Sequence, residues 1–315
     1  MKPEILVLVP IYAPTLAALE RDYVVRKLWP EQDPDPYLKR ECGKVRGLVT
    51  TGLFGYSRRH IEALPRLEII TCFGNPHGVG AADRAAAAER HLIVTNTPDS
   101  ITEPVADLAL GLLVAVMRGI VQADRFVRAG KWPAGPFPPG HGLGGKTCGI
   151  IGLGAIGTAV AKRVEPLGMS VCYHGPRRKA DVAYPYYADL EAMARASDCL
   201  VVSCPAMPET RNLVDARILG ALGQGGFLVN VARGSVVNEQ ALIAALRDRK
   251  IAGAGLDVYA DEPRLPAELL GMDQVVLTPH IGSATQAIRE ERGAKVLANL
   301  RAHFAGKSVP YPVKA

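Results

Sequence analysis

Four short stretches of the chain gather the residue types that bind anions and move protons. The first is Gly152-Leu153-Gly154-Ala155-Ile156-Gly157; the others are Asn230-Val231-Ala232-Arg233-Gly234, Gly255-Leu256-Asp257-Val258-Tyr259-Ala260-Asp261-Glu262-Pro263 and Thr278-Pro279-His280-Ile281-Gly282-Ser283-Ala284-Thr285. A G-x-G-x-x-G alone says little, but this one follows the apolar run Cys148 to Ile151 and opens a helical pattern. Gly152 permits a tight turn, Gly154 lets backbone approach a pyrophosphate, and Gly157 lets the helix pack on the strand. The helix start at Ala155 and Ile156 then offers N–H groups and partial positive charge to phosphates. A glycine turn that serves packing alone is the alternative, and the strand-turn-helix context weighs against it. The other three stretches each lie just past an apolar run, where ligands bind in open α/β sheets.

A dinucleotide-binding unit that takes NAD places an Asp or Glu about 20 residues after the glycines, to accept from the ribose 2′-OH. Here the corresponding place reads Val171-Cys172-Tyr173-His174-Gly175-Pro176-Arg177-Arg178-Lys179, and no carboxylate lies between Glu165 and Asp181. The missing acid removes repulsion against a 2′-phosphate. Beyond the Gly175 turn, Arg177 and Arg178 offer that phosphate planar, charge-assisted hydrogen bonds. The reading is therefore NADP(H) rather than NAD, with a solvated basic turn as the alternative.

The elements that must position these groups follow from the apolar pattern. Strand candidates at Ile5 to Val9, Gly47 to Thr50, Leu67 to Cys72 and Leu92 to Asn96 alternate with helical stretches, which predicts a parallel sheet. A long helix is expected from Glu103 to Ala129, capped by Asp99, Ser100 or Thr102 and stopped by Gly130. The run Trp132 to Gly140 is too rich in Pro and Gly for regular structure and reads as an arm or linker. Six more strands are expected at Cys148 to Ile151, Ser170 to Tyr173, Leu200 to Ser203, Phe227 to Val231, Gly253 to Val258 and Val275 to Leu277. A last helix, about Ser283 to Phe304, is expected to return to the first domain. The fold class is thus α/β, with two Rossmann-like domains: a doubly wound cofactor domain, 100–285, inserted into a flavodoxin-like substrate domain made of 1–99 and 286–315.

Length and composition agree with that plan. The 315 residues suit two domains with a cleft, and 48% hydrophobic against 22% charged residues is the balance of a soluble globular protein. The N-terminal apolar run is interrupted by Glu4, Pro10 and Pro14, so it reads as a buried strand instead of a secretory signal, and no stretch reaches membrane-spanning length. Six scattered cysteines without a C-x-x-C pair read as reduced thiols in a cytoplasmic protein, with no metal site. The formal charge of +6 and pI near 9.0 come without a basic block, which favours small anions over nucleic acid.

The order and spacing of all these stretches resemble the D-isomer-specific 2-hydroxyacid dehydrogenases across nearly the whole chain. The resemblance implies that Arg233 binds the carboxylate and carbonyl of a small anionic 2-keto acid; a guanidinium stays charged and matches a carboxylate fork. It implies that His280 is the acid/base residue, an imidazole ordinarily titrating near working pH, and that Glu262 pairs with it. It implies that Asp257 lies near the nicotinamide carboxamide, although a turn cap is an open alternative. Cys204, Pro205, Thr210, Val231, Ala232 and Gly282 fall on cofactor-side positions. Cys204 as a nucleophile is disfavoured, since no covalent step is required.

The family's substrate loop is matched less closely by Phe73-Gly74-Asn75-Pro76-His77-Gly78-Val79-Gly80-Ala81-Ala82-Asp83. Aligned from Asp83, His77 and Gly78 take the amide-donating positions, Gly80 replaces an aspartate, and about two extra residues precede them. Leu53 and Phe54 are candidates to line the pocket, with core packing as the alternative. The 173–178 tract and Phe73-Gly74 look most like the NADP-dependent glyoxylate/hydroxypyruvate reductase branch, which implies a homodimer whose arm aromatic, here Trp132 or Phe137, enters the neighbour's site. Three other readings stay open: an NAD-dependent 2-hydroxyacid dehydrogenase, a phosphoglycerate dehydrogenase, and a non-catalytic nucleotide-sensing protein like the related corepressors. A phosphoglycerate dehydrogenase would usually show the acid that is missing here, and the corepressors carry long disordered extensions that this sequence lacks.

Overall fold

The computed structural model describes residues 2–52, 54–74, 79–98 and 101–313. Leu53, His77 and Gly78, together with Asn75, Pro76 and the two cap candidates Asp99 and Ser100, lie outside the described residues. The chain divides into two compact units, one comprising 1–100 and 285–315 and the other 101–284.

The first unit is a five-stranded parallel sheet. Its strands are β1 (Glu4–Val7), β2 (Val24–Lys27), β3 (Val45–Thr51), β4 (Ile69–Phe73) and β5 (Ile93–Thr95), in the order β2-β1-β3-β4-β5. Between them run α1 (Ala13–Asp22), α2 (Pro34–Glu41), α3 (Arg58–Ala63) and α4 (Ala81–Glu89). This is the flavodoxin-like order. Ile5, Leu6, Val7, Leu48, Val49, Ile69 and Ile70 are fully buried, as continuous apolar runs are when both faces of a parallel sheet are covered. β2 was not foreseen. Its sequence, Val-Val-Arg-Lys, is only partly buried because it is an edge strand, paired with β1 alone, and edge strands carry no obligatory apolar run.

The second unit opens with α5 (Thr102–Arg118) and α6 (Ile120–Arg128), which replace the single helix expected from Glu103 to Ala129. Gly119 sits between them in the left-handed region, at φ 62°, and the two axes are bent by 61°. Thr102 is the first helical residue, not the cap; Ile101 holds the cap position. The arm that follows contains one short 3₁₀ turn, Trp132–Ala134, where no regular structure was expected.

Seven parallel strands complete this unit: β6 (Thr147–Ile151), β7 (Ser170–His174), β8 (Tyr186–Tyr187), β9 (Cys199–Val202), β10 (Phe227–Asn230), β11 (Gly253–Leu256) and β12 (Val275–Leu277). Their order, β12-β11-β10-β9-β6-β7-β8, is that of a doubly wound sheet whose direction of growth reverses at β6. One more strand is present than the apolar pattern predicts, since the two-residue edge strand β8 is too short to leave a periodic signal. The helices α7 (Ala155–Val164), α8 (Leu190–Arg195), α9 (Ala216–Leu222), α10 (Glu239–Arg247) and α11 (Ala267–Leu270) connect these strands. α5 and α7 pack through Val105, Leu112, Val116, Val160 and Val164 in one apolar layer; α8, α9 and α10 pack through Met193, Ile218, Leu219, Leu242 and Leu246 in the other. Side-chain caps fix where three of them start: Asp189 accepts from the Glu191 N–H at 3.0 Å to open α8. Asp215 accepts from the N–H groups of Arg217 and Ile218, both at 3.0 Å, and Asn238 accepts from Ala241 at 3.0 Å.

The last helix, α12 (Gln286–Phe304), belongs to the first unit. Thr285 caps it by accepting from the Ile288 N–H at 3.3 Å. Asn299, fully buried, accepts from the Tyr311 N–H and donates to the Asn96 carbonyl, so the tail is tied back beside β5, where Thr95 and Pro312 pair antiparallel.

Candidate active site

The glycine turn has the geometry its residue types anticipate. Gly152 lies at φ +93°, and a Cβ there would meet the Cys204 backbone at 2.6 Å; a Cβ on Gly157 would collide with the Gly152 carbonyl. Gly154 faces open space. The Gly152 N–H donates to the His174 carbonyl at 2.9 Å, and the Ser203 hydroxyl donates to the Gly152 carbonyl at 2.8 Å. α7 carries no side-chain cap, so the N–H groups of its first turn, at Ala155 and Ile156, remain available for an outside acceptor. A cavity of about 380 Å³ lies beside the turn, lined in part by Gly154, Ala155, Thr158, Lys162 and Lys179. These features fit a dinucleotide: backbone can approach the pyrophosphate at Gly154, and a methyl group at Gly152 or Gly157 would distort the cradle.

Gly175, Pro176, Arg177 and Arg178 form the turn after β7, where Arg177 and Arg178 are exposed. On the neighbouring loop, Cys204 is buried, and burial pushes its thiol up to about 11, so it is protonated at working pH and no nucleophile. The Thr210 hydroxyl closes its own loop, donating to the Pro205 carbonyl at 2.8 Å and accepting from the Met207 N–H at 2.8 Å. Val231 and Ala232 are buried.

The groups able to do acid/base chemistry come from the ends of three adjacent strands. Asn230, Leu256 and Leu277 end β10, β11 and β12, and they pair in register with one another. Arg233 lies three residues beyond the first of these and His280 three beyond the last. Neighbouring strands are about 4.8 Å apart, so the two side chains spring from the same edge of the sheet. The His280 Nδ1 is 2.6 Å from a Glu262 carboxylate oxygen, and both side chains keep some exposure, 34% and 17%. Glu262's other oxygen accepts from the Tyr259 N–H at 3.0 Å. Asn230, almost fully buried, shapes the arginine loop by accepting from the Ala232 N–H and donating to the Arg233 carbonyl. Half-buried Arg233 donates to the Ala232 carbonyl at 2.6 Å.

Asp257 does what its alternative reading proposed. It is 2% exposed, and its carboxylate accepts from the Thr278 hydroxyl at 2.6 Å and from the Ile281 and Gly282 N–H groups, both at 2.8 Å. It therefore pins the loop that carries His280, whose own backbone is held at φ 53°. Tyr259 pins the same loop from inside, its hydroxyl within 3.1 Å of the Leu256 carbonyl and 2.9 Å of the Thr278 carbonyl. Backbone at Gly234 packs so closely on Tyr259 that any side chain there would collide with its carbonyl. Sequence reasoning quoted Tyr259 and Asn230 inside their motifs without giving either a task. A polar side chain at the last position of an apolar strand run, as at Asn230, is the signal that could have found one of them.

In the first unit, Gly74 lies at φ +79°, where a Cβ would come within 3.7 Å of the Arg292 guanidinium carbon, and its N–H donates to the Thr97 hydroxyl at 2.6 Å. Gly80 caps α4. Phe54 is 53% exposed, so core packing is not its role.

Residues 110–282 match the family model described as "D-isomer specific 2-hydroxyacid dehydrogenase, NAD binding domain". Glyoxylate/hydroxypyruvate reductase A of Arabidopsis thaliana is 42% identical over 94% of this chain and 94% of its own. The chain belongs to the D-isomer specific 2-hydroxyacid dehydrogenase family. Within it, the similarity is to the glyoxylate/hydroxypyruvate reductase branch: glyoxylate reductase of Thermococcus litoralis is 38% identical over 98% of this chain and 96% of its own. Among solved structures, the NADPH-dependent glyoxylate/hydroxypyruvate reductase of Sinorhizobium meliloti, in complex with NADP and malonate, superposes with a TM-score of 0.84, is 38% identical, and is covered over 99% of this chain and 97% of its own. A 2-hydroxyacid dehydrogenase from Ketogulonicigenium vulgare reaches a TM-score of 0.87 at 38% identity, over 100% and 99%. As a 2-hydroxyacid dehydrogenase the protein is a nicotinamide-dependent oxidoreductase with two Rossmann-like domains.

Proposed function

We propose that this 2-hydroxyacid dehydrogenase works as an NADPH-dependent reductase of small 2-keto acids of the glyoxylate and hydroxypyruvate type. The observation that carries the reading is the 2.6 Å contact between His280 Nδ1 and Glu262, held at a strand edge that also presents Arg233. With Nδ1–H donated to the carboxylate, the tautomer is fixed and Nε2 is left to face substrate. Glu262 then stabilises the imidazolium from which Nε2 gives up its proton. Arg233 holds the substrate carboxylate and draws charge from the carbonyl, so that negative charge developing on the carbonyl oxygen is met by a fixed cation. When bound, reduced nicotinamide supplies the hydride that enters the carbonyl carbon. The His280 proton goes to the carbonyl oxygen, and the product is the 2-hydroxy acid.

NADPH is favoured over NADH because the turn after β7 has arginines where an NAD site has an acid, and because the similar Sinorhizobium enzyme is described as NADPH-dependent. In this reading residues 101–284 hold the cofactor, and the unit formed by 1–100 and 285–315 contributes to substrate binding. α6 and the arm support a homodimer: α6 leaves Ile120 and Val127 exposed, and Trp132 is 66% exposed, whereas Phe137 packs edge-on against Phe126 of α6. Trp132 is therefore the arm aromatic available to a partner. The test is oxidation of NADPH and of NADH, followed at the nicotinamide absorbance band, over glyoxylate, hydroxypyruvate and bulkier 2-keto acids. Turnover several-fold faster with NADPH on the two small acids is expected; absence of turnover on every acid with either cofactor would sink the assignment.

A further inference from the structure

The turn that carries Arg177 and Arg178 is held in an unusual way. The β7–β8 pairing leads into this turn and a second turn at 180–181 follows it. Its two ends are also tied to two phenols. The Tyr186 hydroxyl donates to the Gly175 carbonyl at 3.1 Å, and the Tyr173 oxygen accepts from the Lys179 N–H at 2.8 Å. Tyr173 and Tyr186 are direct partners across the β7–β8 pairing, with ring centroids 5.3 Å apart and planes tilted by 47°. Tyr173 is fully buried. The two-residue edge strand β8 thus has an evident purpose: it delivers the second phenol to the turn. Lys179, fixed through its N–H, lines the cavity that Gly154 and Ala155 also line, so the tyrosines set this turn against the glycine turn.

We propose that Tyr173 and Tyr186 are positioning residues for cofactor selection: their hydroxyls hold the 175–179 turn in the shape that lets Arg177 and Arg178 grip a 2′-phosphate. The proposal rests on the NADPH reading of the same turn. Bidentate recognition by arginine demands orientation, and an arginine on an untethered turn must lose that freedom on binding. Losing one tether is therefore felt by a ligand with a 2′-phosphate and not by one without it.

The experiment compares calorimetric binding of 2′,5′-ADP and 5′-AMP to the full chain as wild type, Tyr173→Phe and Tyr186→Phe, with KM for NADPH and NADH alongside. Each variant keeps its ring, so packing persists. Loss of one hydrogen bond is expected to weaken 2′,5′-ADP about 5- to 10-fold. Binding of 5′-AMP should move less than about twofold, KM for NADPH should rise without change in kcat, and the melting temperature should hold for the half-buried Tyr186 site. If wild type prefers 2′,5′-ADP and both variants keep that preference, or lose both ligands equally, the tyrosine proposal is overturned alone. Equal binding of the two nucleotides by wild type overturns the NADPH reading, and the tyrosine proposal with it.

Discussion

The loop that presents His280 and the turn that presents Arg177 and Arg178 both leave strand ends of one sheet, yet they are secured by opposite means. Residues 278–282 are gripped by three hydrogen bonds to the buried Asp257 carboxylate, by the Tyr259 hydroxyl, and by backbone bonds from His280 to the carbonyls of Asp257 and Thr278. Residues 175–179 hang from two phenols. A group that must meet a reacting carbonyl tolerates little displacement, so its loop is over-determined. A group that chooses between two cofactors needs only to be near one phosphate, and a lightly tethered turn leaves that choice open to change by few substitutions.

The largest effect should come from breaking the rigid side at its chemical tip. His280→Gln keeps a polar side chain but cannot deliver the proton; kcat is expected to fall about 10²- to 10⁴-fold with little change in NADPH affinity, as measured by steady-state kinetics and cofactor titration. Breaking its support is milder. Asp257→Asn places a donor where the carboxylate accepts from Ile281 and Gly282, and should lower unfolding free energy by about 1–3 kcal/mol, read as a lower midpoint in denaturant, with kcat reduced. On the lightly held side, the double variant Arg177→Ser/Arg178→Ser is expected to raise KM for NADPH by about one order of magnitude and leave kcat and the denaturation midpoint unchanged. The smallest response belongs to Cys204. Burial raises its thiol to about 11, so thiolate is scarce until pH nears that value; native protein at pH 8 should resist alkylation there, with mass spectrometry as the measure. Labelling at Cys204 at that pH would show the wall of the glycine turn to be looser than drawn.

How much of this was legible beforehand depended on how local the signal is. Largely buried strands such as β1, β4 and β10 announce themselves as apolar runs, and the glycine turn as a spacing. β2 and β8 do not, because an edge strand is specified by its neighbour and not by its own composition. The break at Gly119 was hidden inside an otherwise continuous helical pattern: a glycine within such a pattern does not by itself say that φ turns positive. Of the candidate site, the residue types of Arg233, Glu262 and His280 stood out in motifs, and in the structure His280 and Glu262 lie in contact at 2.6 Å. The turn-capping task of Asp257 stood as an alternative, and Asn230 bonds within its own loop; the tasks of Tyr259 and Tyr186 were not readable, since each reaches a residue on a different strand or loop and depends on register. The candidates Leu53, His77 and Gly78 lie outside the described residues.

His280 sits in the left-handed region, at φ 53°, a conformation comfortable for glycine and asparagine and costing other residues of order 1 kcal/mol or more. The backbone at this position would therefore be better served by the very residues that cannot do the chemistry. Replacing His280 with asparagine should yield a protein at least as resistant to heat as the parent and almost inert, a dead variant that outlasts the living one. A selection for thermal endurance alone would drift toward it, and only a selection that also demands turnover would keep the imidazole.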